Sequence, residues 1–237
     1  MSITFQDIYT SHEAADWMKQ TFQGFELDSR KVKPGQIFIA LTSLSQPEKT
    51  AQFAQKALEQ GALAVISENE LEVSPNLVVA DVRHLMGQWQ KQYLQATQPV
   101  QAARILAVTG TNGKTTISRL VAEFIMLQGK ACAVMGTTGN GILPNLEASS
   151  HTTLDAMQLQ NALHDYAQAG AEFASIEASS HGLEQGRLNG CDIEIAGYSN
   201  LSRDHLDYHG TLQAYAEAKS GLFRFESLKV AVINIDD

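Results

Sequence analysis

Disulfide chemistry has almost nothing to work with in this chain of 237 residues, which holds two cysteines, Cys132 and Cys191, far apart in apolar stretches. They read as buried free thiols rather than a disulfide or a metal pair. Long apolar runs are also missing. None approaches the ~18 residues of a membrane-spanning helix. The first seven residues have neither the basic region nor the apolar core of a secretory signal, so a cytoplasmic protein is expected. Basic charge is short too: 17 Lys and Arg stand against 26 Asp and Glu, a net charge of -9. That excludes a broad basic face for nucleic acid or anionic membrane. It leaves room for phosphate ligands, which need only a local site. Internal repeats and low-complexity segments are absent. What remains, 44% hydrophobic and 18% charged, is an ordinary globular composition long enough for two domains.

The most informative stretch is Val108-Thr109-Gly110-Thr111-Asn112-Gly113-Lys114-Thr115-Thr116. A short apolar strand at 104–108 precedes it. Ile117, Leu120, Val121, Phe124 and Ile125 follow at helical spacing and are expected to be the helix's packed face. Strand, glycine-bearing loop and helix make a phosphate cradle, with backbone N–H groups and Lys114 facing the anion. The Thr115 hydroxyl is placed to hold Mg2+. The spacing is shorter than the general G-x-x-x-x-G-K-[ST] pattern, because Val108 occupies the first glycine's place.

Elsewhere strands and helices alternate, which predicts an α/β fold with largely parallel sheets. Strands are expected at 37–41, 63–66, 77–80, 131–136, 173–177, 193–198 and 229–235. One helix should bury Phe53, Ala54, Ala57 and Leu58. Others should run near 85–93, over 156–169 behind an Asp155 cap, and over 212–223. The polar, proline-containing stretch 95–101 sets a domain boundary after residue 97. The segment 137–153, about 17 residues rich in Gly, Thr, Ser and Asn, is expected to be a binding loop. A chain ending on the strand at 229–235 lacks a covering helix, which suggests a truncated domain.

Several residues could carry chemistry. Glu177 ends an apolar strand and should face the same crevice as the loop. Asn200 to His209 packs Asp204, His205, Asp207 and His209 together, as metal or phosphate ligands or as a capping turn with Ser202 or Asp204 as cap; the pattern does not choose between the two histidines. Lys219 is, by periodicity, a solvated helix lysine. His151, Thr152 and Thr153 offer polar groups to a ligand or cap the next helix. Arg187 could clamp an anion.

The loop resembles the ATP loop of the Mur ligases and their folylpolyglutamate synthetase relatives. Leu27-Asp28-Ser29-Arg30, Glu177-Ala178-Ser179-Ser180-His181-Gly182-Leu183 and Asn200 to Gly210 select the MurE branch, which adds the third amino acid of the peptidoglycan stem peptide. The resemblance covers essentially the whole chain and implies an N-terminal α/β UDP-muramyl substrate domain (1–97) and a P-loop-containing central ATPase domain (98–237). It further implies a cytoplasmic monomer that uses ATP and Mg2+ on UDP-N-acetylmuramoyl-L-alanyl-D-glutamate through an acyl phosphate, adding in all expectation meso-diaminopimelate. Gly110, Thr111, Asn112, Gly113, Lys114, Thr115 and Thr116 would hold ATP. Thr115 and Glu177 would hold one Mg2+, Glu177 would bridge to a second with His205, and Lys219, as a carbamate, would be an oxygen ligand, with Lys114, Glu177, His205 and Lys219 catalytic. Leu27, Ser29, His151, Thr152, Thr153, Ser179, Gln185 and Arg187 would contact the UDP-muramyl-dipeptide. Two departures stand out: the loop at 42–50 lacks the usual His and Asp-Gly pattern, and His151 replaces a common Asn. Family members run to about twice this length, so a C-terminal domain for the amino acid is expected to be missing and the chain alone to be inactive. A folylpolyglutamate synthetase-like ligase and a non-catalytic nucleotide-sugar module are the alternatives.

Overall fold

The computed structural model describes residues 2–10, 15–42, 46–149 and 151–236. Ser43, Leu44 and Ser45 of the divergent first-domain loop, and Ser150, lie outside them. The chain divides into two compact units, Met1–Pro99 and Val100–Asp237.

The first unit runs β1 (Phe25–Glu26), β2 (Ile37–Ala40), α1 (Thr50–Glu59), β3 (Ala64–Ser67), β4 (Asn76–Val78) and α2 (Val82–Thr97). The strands form one sheet in the order β1-β2-β3-β4, every neighbour parallel. β2 and β3 are buried along their whole length, as apolar runs with no polar alternation must be in a parallel sheet. Ala54 and Ala57 of α1 pack with Phe38, Ala40 and Val65. Trp89 of α2 closes a ring cluster with Phe5 and Phe25. Phe53 departs from its expected place on the packed face. It is 45% exposed and lines a pocket, because two alanines already let α1 approach the sheet closely.

The second unit runs β5 (Arg104–Thr109), α3 (Lys114–Leu127), β6 (Cys132–Gly136), β7 (Gly139–Ile142), α4 (Ala156–Gln168), β8 (Phe173–Glu177), α5 (Ser180–Glu184), β9 (Ile193–Tyr198), α6 (Leu206–His209), α7 (Leu212–Ser220) and β10 (Val230–Ile233). The sheet order is β10-β9-β5-β8-β6-β7, parallel except for β7. β5 is therefore central, with β8 on one side and β9 on the other. Fully buried Ile176, Leu159, Leu188 and Ile193 form the core on one face. Each such side chain contributes roughly 1.5–3 kcal/mol of apolar burial.

Three expectations change here. Part of the segment 137–153 is β7, an antiparallel edge strand with its own bridge from Asn140 to Glu147. Glycines at 139 and 141 hid it, because a strand without side chains shows no alternation. The buried residues of α3 are Ser118 and Ala122, whereas Ile117, Leu120 and Phe124 are exposed. Small residues bring the helix against β8, where Ser175 donates a hydrogen bond to the Ser118 carbonyl at 2.9 Å. The last helix stops at Ser220 and continues as a 3-10 turn to Arg224. Both cysteines are buried and neither is in a disulfide. No helix among the described residues is long and apolar enough to cross a membrane.

Candidate active site

The site lies where β5, β8 and β9 end side by side. β5 delivers Gly110, Thr111, Asn112 and Gly113, and α3 begins at Lys114. Gly113 is its N-cap at φ 85° and Gly110 sits at φ 137°, conformations in which a side chain is strained. The loop is buttressed by the chain leaving β9. Asn112 N donates to Asn200 Oδ1 at 3.0 Å, while Asn200 Nδ2 and Ser199 Oγ donate to the Asn112 carbonyl at 3.1 and 2.6 Å. Ser202 N donates to Thr111 Oγ1 at 2.9 Å. The expected cap by Ser202 or Asp204 is not found, because α6 has no side-chain cap bond. The cap of α6 is His205 itself, in the left-handed region at φ 50°.

Two lysine amines share one carbonyl. Lys114 Nζ donates to the carbonyls of Gly110 and Thr111 at 2.9 and 2.8 Å, and Lys219 Nζ donates to that of Gly110 at 2.8 Å. Lys219 is 1% exposed, which overturns its reading as a solvated lysine. Helix periodicity misled because α7 packs with its Tyr215–Lys219 edge inward, the amine 4.3 Å from the Tyr215 ring centre. Burial, reinforced by the charge of Lys114, pushes the Lys219 ammonium down to about 7. Burial lowers that of Lys114 as well, opposed by Glu177 and Asp204.

Glu177, 1% exposed at the end of β8, faces the loop. Its Oε2 accepts from Thr115 Oγ1 at 2.8 Å and from Thr137 Oγ1 at 3.3 Å, and its Oε1 accepts from Thr137 N at 2.8 Å. A side chain at Gly136 would run into this carboxylate. Among the described residues, no group of three or more His, Cys, Asp or Glu is arranged to hold a metal by itself. The donor set still suits Mg2+, which takes one or two protein oxygens and completes its shell with water and phosphate.

From Glu177 the polar network continues through Thr153. Its hydroxyl donates to the Glu177 carbonyl at 2.8 Å and lies 3.0 Å from Ser179 Oγ. Arg187 donates to the Thr153 carbonyl at 2.8 Å and grips Gln185 Oε1 with two nitrogens. Thr137 Oγ1 lies 3.1 Å from Thr152 Oγ1, within hydrogen-bond reach. His151 is exposed, beside Ser149, whose hydroxyl donates to its carbonyl. Thr115, Glu177, Thr152, Thr153, Ser179, Gln185 and Arg187 are thus linked, while Lys114 and Lys219 meet separately at the Gly110 carbonyl. Thr116 follows Thr115 on α3. Reading the sequence missed Thr137, Ser199 and Tyr215. A rule that inspects the first residues after every parallel strand would have found the first two. Thr153→Val should strand the Glu177 carbonyl and Ser179 N–H and destabilise the second unit by about 1–3 kcal/mol, read by urea denaturation with far-ultraviolet circular dichroism.

Leu27 and Ser29 belong to the first unit. With Asp28, Arg30, Phe53 and Lys56 they line a pocket of about 480 Å3. Arg30 pairs with Asp28 at 2.8 Å, and Glu26 Oε1 accepts the backbone N–H groups of Leu27 and Asp28.

A parallel sheet whose central strand feeds a Gly-Lys-Thr loop into a helix, with a strand-end carboxylate on the loop's threonine, defines a class: an α/β domain with a P-loop-type turn. Comparison with known proteins narrows it. Residues 108–237 match the Mur ligase middle domain, and the chain belongs to the Mur ligase family. It is 42% identical over 223 residues to the UDP-N-acetylmuramoyl-L-alanyl-D-glutamate--2,6-diaminopimelate ligase of Vibrio vulnificus (strain YJ016), covering 92% of this chain and 45% of that protein. The protein of the same name from Haemophilus influenzae (strain 86-028NP) is 43% identical, with 89% and 44% covered. A solved structure of a ligase of this name matches with a TM-score of 0.95 and 70% identity, over 100% of this chain and 48% of that one. MurF ligase from Thermotoga maritima, in complex with ADP, shares the fold at a TM-score of 0.61 and 19% identity, over 94% and 48%. The chain spans less than half the length of these relatives.

Proposed function

We propose that the chain supplies the substrate- and ATP-binding parts of a cytoplasmic, monomeric ligase. The reaction joins meso-diaminopimelate to UDP-N-acetylmuramoyl-L-alanyl-D-glutamate in peptidoglycan synthesis. The observation that carries this reading is the buried Glu177 carboxylate bonded to Thr115 of the loop, with Lys219 buried beside Lys114. The 2,6-diaminopimelate ligase names of the relatives support the amino acid.

In this reading the loop N–H groups and Lys114 take the ATP phosphates, the ammonium exchanging two carbonyl acceptors for phosphate oxygens. Thr115 and Glu177 would hold one Mg2+ and Glu177 with His205 a second, with carbamylated Lys219 as a further oxygen ligand; the metal would supply charge neutralisation at the transferring phosphoryl group. Thr152, Thr153, Ser179, Gln185 and Arg187 hold the muramyl-peptide end, and Leu27 and Ser29 contact the UDP-sugar. The D-Glu side-chain carboxylate attacks the γ-phosphorus and ADP leaves. The amine of the amino acid then attacks the acyl phosphate, and phosphate leaves as the amide forms. The residues act by positioning and by meeting developing charge. Carbamylation needs the neutral amine: its lone pair attacks CO2 and the displaced proton goes to solvent. An amine titrating about 7 is neutral often enough for this.

Calorimetry of the chain with UDP-muramyl-dipeptide and with ATP, with and without Mg2+, tests the proposal. Binding of the sugar nucleotide without ATP binding would reduce the chain to a binding module, and binding of neither would sink the reading. Glu177→Gln should weaken Mg2+-dependent ATP binding about tenfold or more while leaving Mg2+-free binding alone. An unchanged Mg2+ dependence would remove Glu177 from the site.

A further inference from the structure

His209 has no part in the reaction above, yet it is the better-anchored histidine of its motif. Its side chain is 2% exposed, with Nδ1 3.3 Å from Glu184 Oε2 and Nε2 3.0 Å from Ser180 Oγ. Both ring nitrogens are therefore engaged, and both partners lie on α5, whose first residue is three positions beyond Glu177. The His205 ring is 48% exposed, with Asp204 Oδ2 at 3.6 Å. The backbone joins the two histidines: His209 N and Tyr208 N both donate to the His205 carbonyl, at 3.0 and 3.2 Å. The turn they close is strained, since His205 is the only non-glycine residue at positive φ among the described residues. A strained residue in so short a helix keeps its conformation only if something outside the turn holds it. Tyr208 adds a second strap, its hydroxyl accepting from Gln185 Nε2 at 3.2 Å.

We infer that His209 is a positioning residue, a ring pinned between Ser180 and Glu184 that fixes the His205 turn to α5 and so sets His205 relative to Glu177. The inference rests on the proposed roles of those two residues at the cation. Groups that orient metal ligands without touching the metal typically govern affinity by 10–100-fold.

The test compares His209→Ala and His209→Gln with the parent chain. In His209→Ala, amide hydrogen exchange over 205–211 should speed up about tenfold with the rest of the second unit unchanged. Mg2+ affinity of the ATP-bound chain should fall about tenfold, with ATP affinity in EDTA preserved. His209→Gln, whose amide still reaches one partner, should recover part of both losses. Unchanged exchange and Mg2+ affinity in folded His209→Ala would overturn the inference. So would a uniform rise in exchange across the unit, the mark of mere packing. If His209→Ala does not fold, Ser180→Ala and Glu184→Gln remove the contacts singly, and the same local exchange decides. A parent chain that binds ATP without any Mg2+ dependence would count against the proposed function instead, and local exchange would still judge the clamp.

Discussion

At pH 6 the Lys219→Met variant is expected to be more stable than the parent chain, and the difference should shrink as pH rises. The folded chain holds the Lys219 ammonium down to about 7, against 10.5 for an ordinary lysine. Between those values the unfolded chain binds a proton that the folded chain has released. Stability therefore rises with pH through that window, by up to about 1.4 kcal/mol per pH unit, and the full cost of the buried charge is borne below it. Methionine keeps the volume and removes the titration, at the loss of one hydrogen bond to the Gly110 carbonyl, which Lys114 still satisfies. Urea denaturation from pH 6 to 9 measures both profiles, and parallel curves would show that Lys219 does not titrate there. The same variant should lose a carbamate signal that labelled CO2 produces in the parent by carbon-13 NMR. With it should go most of the Mg2+-dependent ATP binding.

Gly110→Ala should be the most damaging small substitution in the loop. Its φ of 137° belongs to glycine, and the added Cβ would collide with Ser199 Oγ and lie 3.1 Å from the Asn200 backbone. Neither neighbour can yield freely, since Ser199 and Asn200 also hold Asn112. Loss of ATP affinity of about a hundredfold is expected, because the N–H groups would no longer converge on one point. Gly129→Ala is the control. That glycine is also at positive φ, 75°, but a Cβ there meets nothing within 4 Å. It should cost about 1–2 kcal/mol of stability and leave ATP binding intact, both measured by calorimetry.

The contrast between these glycines shows where sequence reading succeeds. The phosphate loop was legible because its physics is local: strand, glycines, lysine and helix are contiguous, and the alternation around them predicted the parallel α/β fold. Asp155 was legible for the same reason, as a helix cap that accepts from Met157 N and Gln158 N. Lys219 was not, since its burial depends on how α7 meets a loop more than a hundred residues earlier, and a lysine among helix formers looks solvated. The outer face of α3 misled in the opposite sense: the larger apolar residues point outward because close packing selected Ser118 and Ala122. The two histidines of one motif became distinguishable only once α5 lay beside α6.

The central place of β5 has a consequence for how the chain acquires its site in time. The contacts that shape the loop join residues far apart: Thr115 to Glu177 spans 62 positions, Asn112 to Asn200 spans 88, and Lys219 to Gly110 spans 109. Loop closure of this length is paid for before any contact rewards it, which slows folding. During synthesis the glycine loop leaves the ribosome long before the two strands and the helix that shape it. Nucleotide affinity should therefore appear late in refolding, after helical signal has recovered, and ATP capture would serve as a clock for completion of the sheet.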